Sequence, residues 1–237
     1  MKSADDRRSG PGRTPVATQN EHGRLIAAAA KAALAPIGCV RRGQSRVWLS
    51  DQRYWAIMIE FQPSGFSRGS YLNVGASWLW YERPGMAFNV GDRVEGAGFI
   101  PFENAAQFGP LVEKMAARAA EEVLAMRERF SSIAAISRYL SARQYTLASQ
   151  IRHTAIAAAL NGEFDASRRL FQQIQSCPIH FDVDAKVHSD AAALAALLDD
   201  PAQFRSAVRR IIDSRRAQAR LPPLVDCLEG VKATAVR

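Results

Sequence analysis

Residues 54–80 read YWAIMIEFQPSGFSRGSYLNVGASWLW, and the pattern of this stretch decides the fold. Every second residue is apolar in each half, which is typical of strands that bury one face. The alternating apolar positions are Trp55, Ile57, Ile59 and Phe61 in the first half and Leu72, Val74, Ala76, Trp78 and Trp80 in the second. Between them, PSGFSRGS (residues 63–70) is rich in Gly, Pro and Ser and predicts a loop. The stretch therefore predicts a β-hairpin with one apolar face.

The flank before the hairpin predicts one helix and one further strand. Residues 24–35 are good helix formers and end before Pro36, which disfavours helix in its predecessor. Residues 46–50 predict a strand, and residues 51–53 form a tight connection into the hairpin. Consecutive strands with short links usually pair antiparallel, so at least three strands are expected in one sheet. Residues 1–22 are polar, contain Gly and Pro, and are predicted to be disordered.

The flank after the hairpin changes from irregular to helical. Residues 81–110 contain several Gly and Pro breaks and predict a long loop whose phenylalanines pack onto the sheet. A helix is expected to begin near Ala105 or Leu111 and to continue to about Phe130. Beyond Ser131 every segment predicts helix, with bounds near residues 132–141, 145–160, 164–175, 185–199 and 201–218.

Residues 145–175 predict two helices joined at Asn161-Gly162, with Gly162 in the left-handed position after the first helix. Their pattern resembles one helical hairpin of a tetratricopeptide-type repeat, and no second copy follows at a fixed period. The fold class predicted for the whole chain is α+β. We expect a small antiparallel sheet flanked by helices in residues 23–130 and an all-helical region in residues 131–237.

Charge, apolar runs and cysteine spacing limit the kinds of protein this chain can be. The net charge of +8, from 31 basic and 23 acidic residues, is unevenly spread along the chain, but no segment is basic enough to require a nucleic-acid partner. No run of about 18 uncharged apolar residues occurs, so no membrane-spanning segment is expected. Cys39, Cys177 and Cys227 match no metal or redox spacing, which favours reduced thiols in a cytoplasmic protein.

Three short motifs resemble the bacterial domain-of-unknown-function family 4304 over roughly residues 24–130. The family pattern has Pro-x-Gly before the first strand, Gln-x-Ser after the central strand and Asn-x-Gly in the third. This chain has Pro36-Ile37-Gly38, Gln62-Pro63-Ser64 and Asn73-Val74-Gly75 at those places. It departs from the pattern at Cys39, where a bulky aromatic residue is expected, and in the long loop after Trp80. The resemblance implies a fold and no activity, because the family has no assigned one.

Two groups of polar residues are candidate sites. Gln62, Ser64, Arg68 and Asn73 lie in or beside the hairpin loop, where they would line a pocket for a small anion or a peptide, although turn chemistry explains the same residue types. His180, Asp182, Asp184 and His188 have a spacing that can hold a divalent metal, although the aspartates also fit a turn and a helix cap. His153 lies in an Ala-rich segment without a matching nucleophile, which favours a packed histidine over a catalytic base.

The last long helix carries a row of arginines. Arg205, Arg209, Arg216 and Arg220 recur at helical spacing and are predicted to lie on one side. Together with the turn at residues 41–46, this row would meet phosphates or an acidic partner. The alternative is an ordinary solvated basic face.

Three functional hypotheses follow. The first is a non-enzymatic module that binds an unidentified protein partner, since no cofactor-binding loop or nucleophile motif is present. The second is a nucleic-acid-associated protein that uses the arginine row. The third is a metal-dependent hydrolase that uses His180, Asp182 and His188. No catalytic residue and no cofactor is predicted under the first hypothesis.

Overall fold

The computed structural model describes residues 21–81 and 85–231, and it shows an α+β fold. Within these residues the strands are β1 (Val40–Arg41), β2 (Val47–Asp51), β3 (Trp55–Gln62), β4 (Gly69–Trp78), β5 (Val90–Arg93) and β6 (Ile100–Pro101). The helices are α1 (Glu21–Leu34), α2 (Ala105–Arg129), α3 (Ile133–Ser141), α4 (Ala148–Leu160), α5 (Phe164–Gln175), α6 (Asp182–Ala195) and α7 (Pro201–Ala219). The sheet is antiparallel with the order β1-β2-β3-β4-β5, and β6 pairs with β4.

The central hairpin is confirmed. Strands β3 and β4 pair in a register that runs from Trp55 opposite Trp78 to Gln62 opposite Tyr71. The alternating apolar residues point to one face, where they share a core with α1 and α2. Because a shift of one residue would turn this whole apolar set away from the core, the pattern also explains the register.

The second face of the sheet is buried as well, so the prediction of half-buried strands was wrong. Ala56 and Met58 point away from the alternating set, yet they are 0% and 9% exposed. On this face the ring of Phe88 lies directly against Gly75, where a Cβ atom would collide with it. The outer part of the same face, around Glu60 and Arg93, remains partly open.

The segment predicted as one long loop contains regular structure. Strands β5 and β6 both pair with β4. Helix α2 begins at Ala105 and is capped by Asn104, whose side chain accepts a hydrogen bond from the Gln107 amide at 2.9 Å. Pro110 is accommodated inside α2. These strands were missed because they are short and carry no apolar alternation, and tertiary pairing alone defines them.

The ends of the remaining elements differ slightly from the prediction. Helix α1 begins at Glu21, inside the segment predicted to be disordered, whereas residues 1–20 of that segment lie outside the described part. Strand β1 was not predicted. Ser132 caps α3 by accepting from the Ala135 amide, and Gly162 has a φ of 86°, as predicted for the turn between α4 and α5.

Aromatic contacts and buried apolar side chains join the sheet to the helices that follow it. The ring of Phe130 meets Trp55 and Trp78 edge-on at centroid distances of 5.5 and 5.3 Å, and Trp78 stacks on Trp80 at 5.4 Å. One contiguous apolar core contains residues from both predicted regions, and the division at residue 130 stays a prediction. Over the described ranges, no helix has the length and apolar content needed to cross a bilayer.

We predict that Gly91→Ala destabilises the protein by about 3 kcal/mol, because Gly91 combines a φ of 90° with close backbone neighbours on β4. A Cβ atom there would lie 2.8 Å from the Gly75 Cα and still closer to the Val74 carbonyl oxygen. Gly96→Ala is the matched control, since Gly96 has a φ of 75° and open space around it, and we expect a cost of about 1 kcal/mol. Equal losses in chemical denaturation would contradict this explanation.

Candidate functional site

The structure brings together two of the four residues predicted around the hairpin loop. The Asn73 side-chain amide donates to Gln62 Oε1 at 3.0 Å and to Glu60 Oε2 at 3.1 Å. Arg93 also donates to Gln62 Oε1, and its guanidinium lies 3.8 Å from the ring centroid of Tyr71. These side chains form a polar row across three strands in which most groups bind one another. Glu60 and Arg93 were missed because only the strand register places them beside Asn73.

Ser64 and Arg68 belong to the turn itself. The Ser64 hydroxyl accepts a hydrogen bond from the Phe66 amide at 3.1 Å, which is ordinary turn chemistry. The Arg68 carbonyl accepts from the Phe102 amide, and its side chain is exposed. The alternative explanation of these residues by turn chemistry therefore fits the contacts of Ser64.

The structure does not bring the predicted metal ligands together. Asp184 accepts hydrogen bonds from the backbone amides of His180 and Phe181 at 3.0 and 3.1 Å, so it caps the start of α6. In residues 21–81 and 85–231, no three His, Cys, Asp or Glu side chains gather as metal ligands would. A metal site of His180, Asp182 and His188 is therefore corrected to a capped helix start.

His153 is a packed histidine. Its side chain is buried, Nδ1 accepts from the Trp80 indole at 3.2 Å, and Nε2 lies 3.1 Å from the Asn89 amide nitrogen. The ring of Tyr81 meets it edge-on. These contacts link α4 to the end of the sheet where β4 finishes.

The predicted arginine row is not one solvated face, and this is the main correction. Arg216 is 2% exposed, and its guanidinium donates hydrogen bonds to both carboxylate oxygens of Asp51, at 2.6 and 2.8 Å. It also donates to the carbonyls of Arg53 and Pro222. A guanidinium with four such acceptors holds α7 against the sheet and is unavailable to an external phosphate.

Two further members of the row hold the segment that follows α7. Arg205 donates to the carbonyls of Val231 and Leu228 and lies 3.3 Å from Asp226. Arg209 donates to the carbonyl of Val225 and pairs with Asp213 at 3.5 Å. The row therefore serves mainly to fix the C-terminal segment, which the helical spacing alone could not reveal.

Arg220 is the exception. It is exposed and lies just after α7, with a left-handed φ of 58°. It borders a cavity of about 780 Å³ between the β1–β2 turn and the end of α7, which we name the β1–α7 groove. The groove is lined by Gly38, Val40, Arg41, Arg42, Gly43, Gln44, Ser45, Val47, Leu49, Asp51, Gln218, Ala219, Arg220, Leu221 and Pro222.

The floor of the β1–α7 groove is apolar and its rim is positive. The lining combines Val40, Val47 and Leu49 from the sheet with Leu221 and Pro222 from the segment after α7. Val40 is 69% exposed although it belongs to a strand. An exposed apolar side chain inside a concave site is a typical feature of a binding surface.

Three arginines line this groove, and the side chains of two of them have no hydrogen-bond or ion-pair partner among the described residues. Arg41 donates to the carbonyls of Ser45 and Gln44, at 2.8 and 3.0 Å, and so closes the turn. Arg42 and Arg220 are exposed, and neither has a side-chain hydrogen bond or ion pair with the described residues. The acid in the lining is Asp51, whose carboxylate is bound by Arg216. The rim therefore carries an unbalanced positive charge.

Local sequence explains how each arginine reaches the rim. Gly43 has a φ of 55°, and the Ser45 hydroxyl donates to the Arg42 carbonyl at 2.6 Å, so the turn backbone is fixed and the Arg42 side chain faces outward. At the other wall, the Leu221 amide bonds to the Arg216 carbonyl and ends α7. The sequence predicted a basic turn and a basic helix, but not that Arg42 and Arg220 would border one groove.

We predict that Arg216→Ala lowers the free energy of unfolding by about 3 kcal/mol, because it removes the ion pair with Asp51 and the hydrogen bonds to two carbonyls. Arg220→Ala should change the stability by less than about 0.5 kcal/mol, because its side chain is exposed. Urea denaturation of both variants measures the difference. A similar small effect in both would show that the row is a solvated face after all.

We also predict that stability falls as the pH is lowered below 6.5, in part through His22. Burial of the ring, and then the charges of Arg46 and Arg68, hold the pKa of His22 below its ordinary value of 6.5. The unfolded chain therefore binds this proton more tightly, and acid favours unfolding until the pH has passed the folded pKa. His22→Gln should lose less stability than the wild type between neutral pH and pH 5. An identical pH dependence of both proteins in denaturant titrations would contradict this.

No protein-family model, curated protein or solved structure matches the chain. The resemblance to the family of unknown function 4304 therefore stays a prediction.

Proposed function

We propose that this protein is a non-enzymatic interaction module that binds an acidic, partly apolar segment of a protein partner in the β1–α7 groove. The observation that supports this most directly is that Arg42 and Arg220, two exposed arginines without a partner among the described residues, line a groove with an apolar floor. Carboxylates of the partner would meet the arginines, and its apolar side chains would cover Val40 and its neighbours.

The composition of the groove favours a peptide over a nucleic acid. Single-stranded nucleic acids bind through a long positive track combined with aromatic side chains on which bases stack. The lining contains no aromatic residue, and its cations stand beside Val, Leu and Pro side chains. Arg205, Arg209 and Arg216, which would have extended a positive track along α7, are held by internal acceptors.

The expected complex is weak and salt-dependent. An exposed arginine–carboxylate pair contributes about 0.2–1 kcal/mol, and burial of apolar surface contributes about 25 cal/mol per Å². A groove of this size thus supports a transient complex with a Kd on the order of micromolar. The same proposal places the protein in the cytoplasm, and its three free thiols support that location.

We predict that selection from a random peptide display library enriches sequences that combine Asp or Glu with Leu, Ile, Val or Phe. The double variant Arg42→Glu/Arg220→Glu should weaken binding of the selected peptide at least about tenfold, as measured by fluorescence anisotropy. The control Arg129→Glu/Arg210→Glu makes the same change in net charge at exposed arginines outside the groove and should retain affinity apart from a small long-range effect.

The floor is tested separately by Val40→Asp, with Val225→Asp as its control. Both valines are largely exposed, at 69% and 94%, but Val40 alone lines the groove. Only Val40→Asp should weaken the peptide. The proposal fails if selection yields no acidic apolar sequences, if the control pair loses as much affinity, or if labelled single-stranded DNA binds more tightly than the peptide. The last result would favour the nucleic-acid alternative.

A further inference from the structure

A second cavity lies in the helical region and shares no lining residue with the β1–α7 groove. It has a volume of about 600 Å³ and is formed by the α3–α4 connection, α4 and α5. We name it the helical groove. Its lining residues are Ser141, Arg143, Gln144, Tyr145, Thr146, Ile151, Thr154, Ala166, Arg169, Leu170 and Gln173.

The lining is rich in hydrogen-bond donors and contains no carboxylate. The lining contains two guanidinium groups, two side-chain amides, a phenol and three hydroxyls together with the apolar residues Ile151, Ala166 and Leu170. In a chain with 23 acidic residues, a concave site with two cations and no acid has a specific charge preference. Such a site attracts an anion and offers it directed N–H and O–H groups.

Arg143 is held in place before any ligand binds. Its guanidinium carbon lies 3.5 Å from the ring centroid of Tyr139, and Nη1 donates to the Tyr139 carbonyl at 2.8 Å. The Tyr139 ring in turn meets the buried Phe130 edge-on at 4.9 Å. With Nη1 engaged, the edge formed by Nε and Nη2 has no partner among the described residues, and this edge has the geometry that binds an oxyanion with two hydrogen bonds.

Arg169 differs from its neighbour in the same helix. Arg168 pairs with Asp165 at 3.1 Å and Asp199 at 2.7 Å. Arg169 is exposed, and no side chain or carbonyl of the described residues accepts a hydrogen bond from it. One of two adjacent arginines is thus neutralised by acids, whereas the one that lines the groove is not.

Tyr145 adds a neutral donor to the same lining. Burial raises the pKa of its phenol above the ordinary value, so the hydroxyl keeps its proton at neutral pH. A protonated phenol donates to an anion without repelling it. Ala166 and Leu170, which are partly exposed, provide an apolar surface in the same lining, and Ile151 is buried beneath it.

From these contacts we propose that the helical groove binds a small organic anion whose carboxylate or phosphate group contacts Arg143 and Arg169 and whose apolar body lies on Ala166 and Leu170. The cavity volume is within the range of about 300–1,000 Å³ that is usual for small-molecule sites. This site is independent of the proposed peptide groove, so either proposal can fail without the other.

Cys177 provides a reporter for this site. Its sulfur lies 3.8 Å from the carbonyl oxygen of Thr146, a lining residue, and it is partly exposed. Cys39 and Cys227 are 4% and 0% exposed, so a maleimide reacts first at Cys177. A ligand in the helical groove should slow this reaction.

The test uses hexyl phosphate and hexanoate as probes. Hexanol, which lacks the charge, and inorganic phosphate, which lacks the alkyl chain, are the controls. We expect at least one of the two amphiphilic anions to bind by calorimetry and to slow Cys177 alkylation, and at least about tenfold weaker binding of hexanol and of inorganic phosphate. The affinities of hexyl phosphate and hexanoate are then compared. The tighter of the two shows whether the site prefers a phosphate or a carboxylate.

Arg143→Gln/Arg169→Gln should weaken the bound anion at least about tenfold. The control Arg138→Gln/Arg168→Gln changes an exposed arginine of α3 and a paired arginine of α5, neither of which lines the groove, and should leave affinity within about twofold. Thermal unfolding of each variant verifies that it is folded. The proposal is overturned if neither anion binds, if hexanol or inorganic phosphate binds equally well, or if both double variants lose affinity alike.

Discussion

The buried ion pair between Arg216 and Asp51 is the contact on which much of the remaining structure depends. Both oxygens of the carboxylate are engaged, and the same guanidinium binds the carbonyls of Arg53 and Pro222. A single side chain thus connects α7, the β2–β3 turn and the segment after α7. Because Arg220 follows only four residues later, this contact also positions the part of the groove lining that contains Arg220.

The sheet is enclosed from both sides by parts of the chain that are distant in sequence. Helices α1 and α2 cover the apolar alternating set, and the loop around Phe88 covers part of the opposite face. The tryptophans at the end of β4 extend this core toward α4 through Phe130 and His153. Open surface remains where the enclosure ends, at the β1–β2 turn and at the α3–α4 connection. Both grooves lie at these boundaries.

Most arginines in the described part of the chain have internal acceptors, and this makes the exceptions informative. Arg216, Arg205 and Arg168 are all matched by carboxylates or carbonyls. Desolvated or crowded cations need such partners, whereas an exposed arginine in a concave, acid-free lining retains its capacity to bind an external anion. The two grooves differ in what accompanies that charge. One has an apolar floor at a sheet edge, and the other has donors fixed between helices.

Local sequence determined the elements of this protein, because the period of apolar residues and the capping residues act over a few positions. The β3–β4 hairpin, the helices of the C-terminal region and the Gly162 turn follow directly from such patterns. The burial of both sheet faces, strands β5 and β6, and the roles of the arginines were decided by tertiary structure. Helical spacing places Arg216 and Arg220 on one helix, but only the packing of α7 against β2 buries the first and leaves the second beside Arg42. That distinction depends on contacts between residues more than 160 positions apart, which no local period encodes.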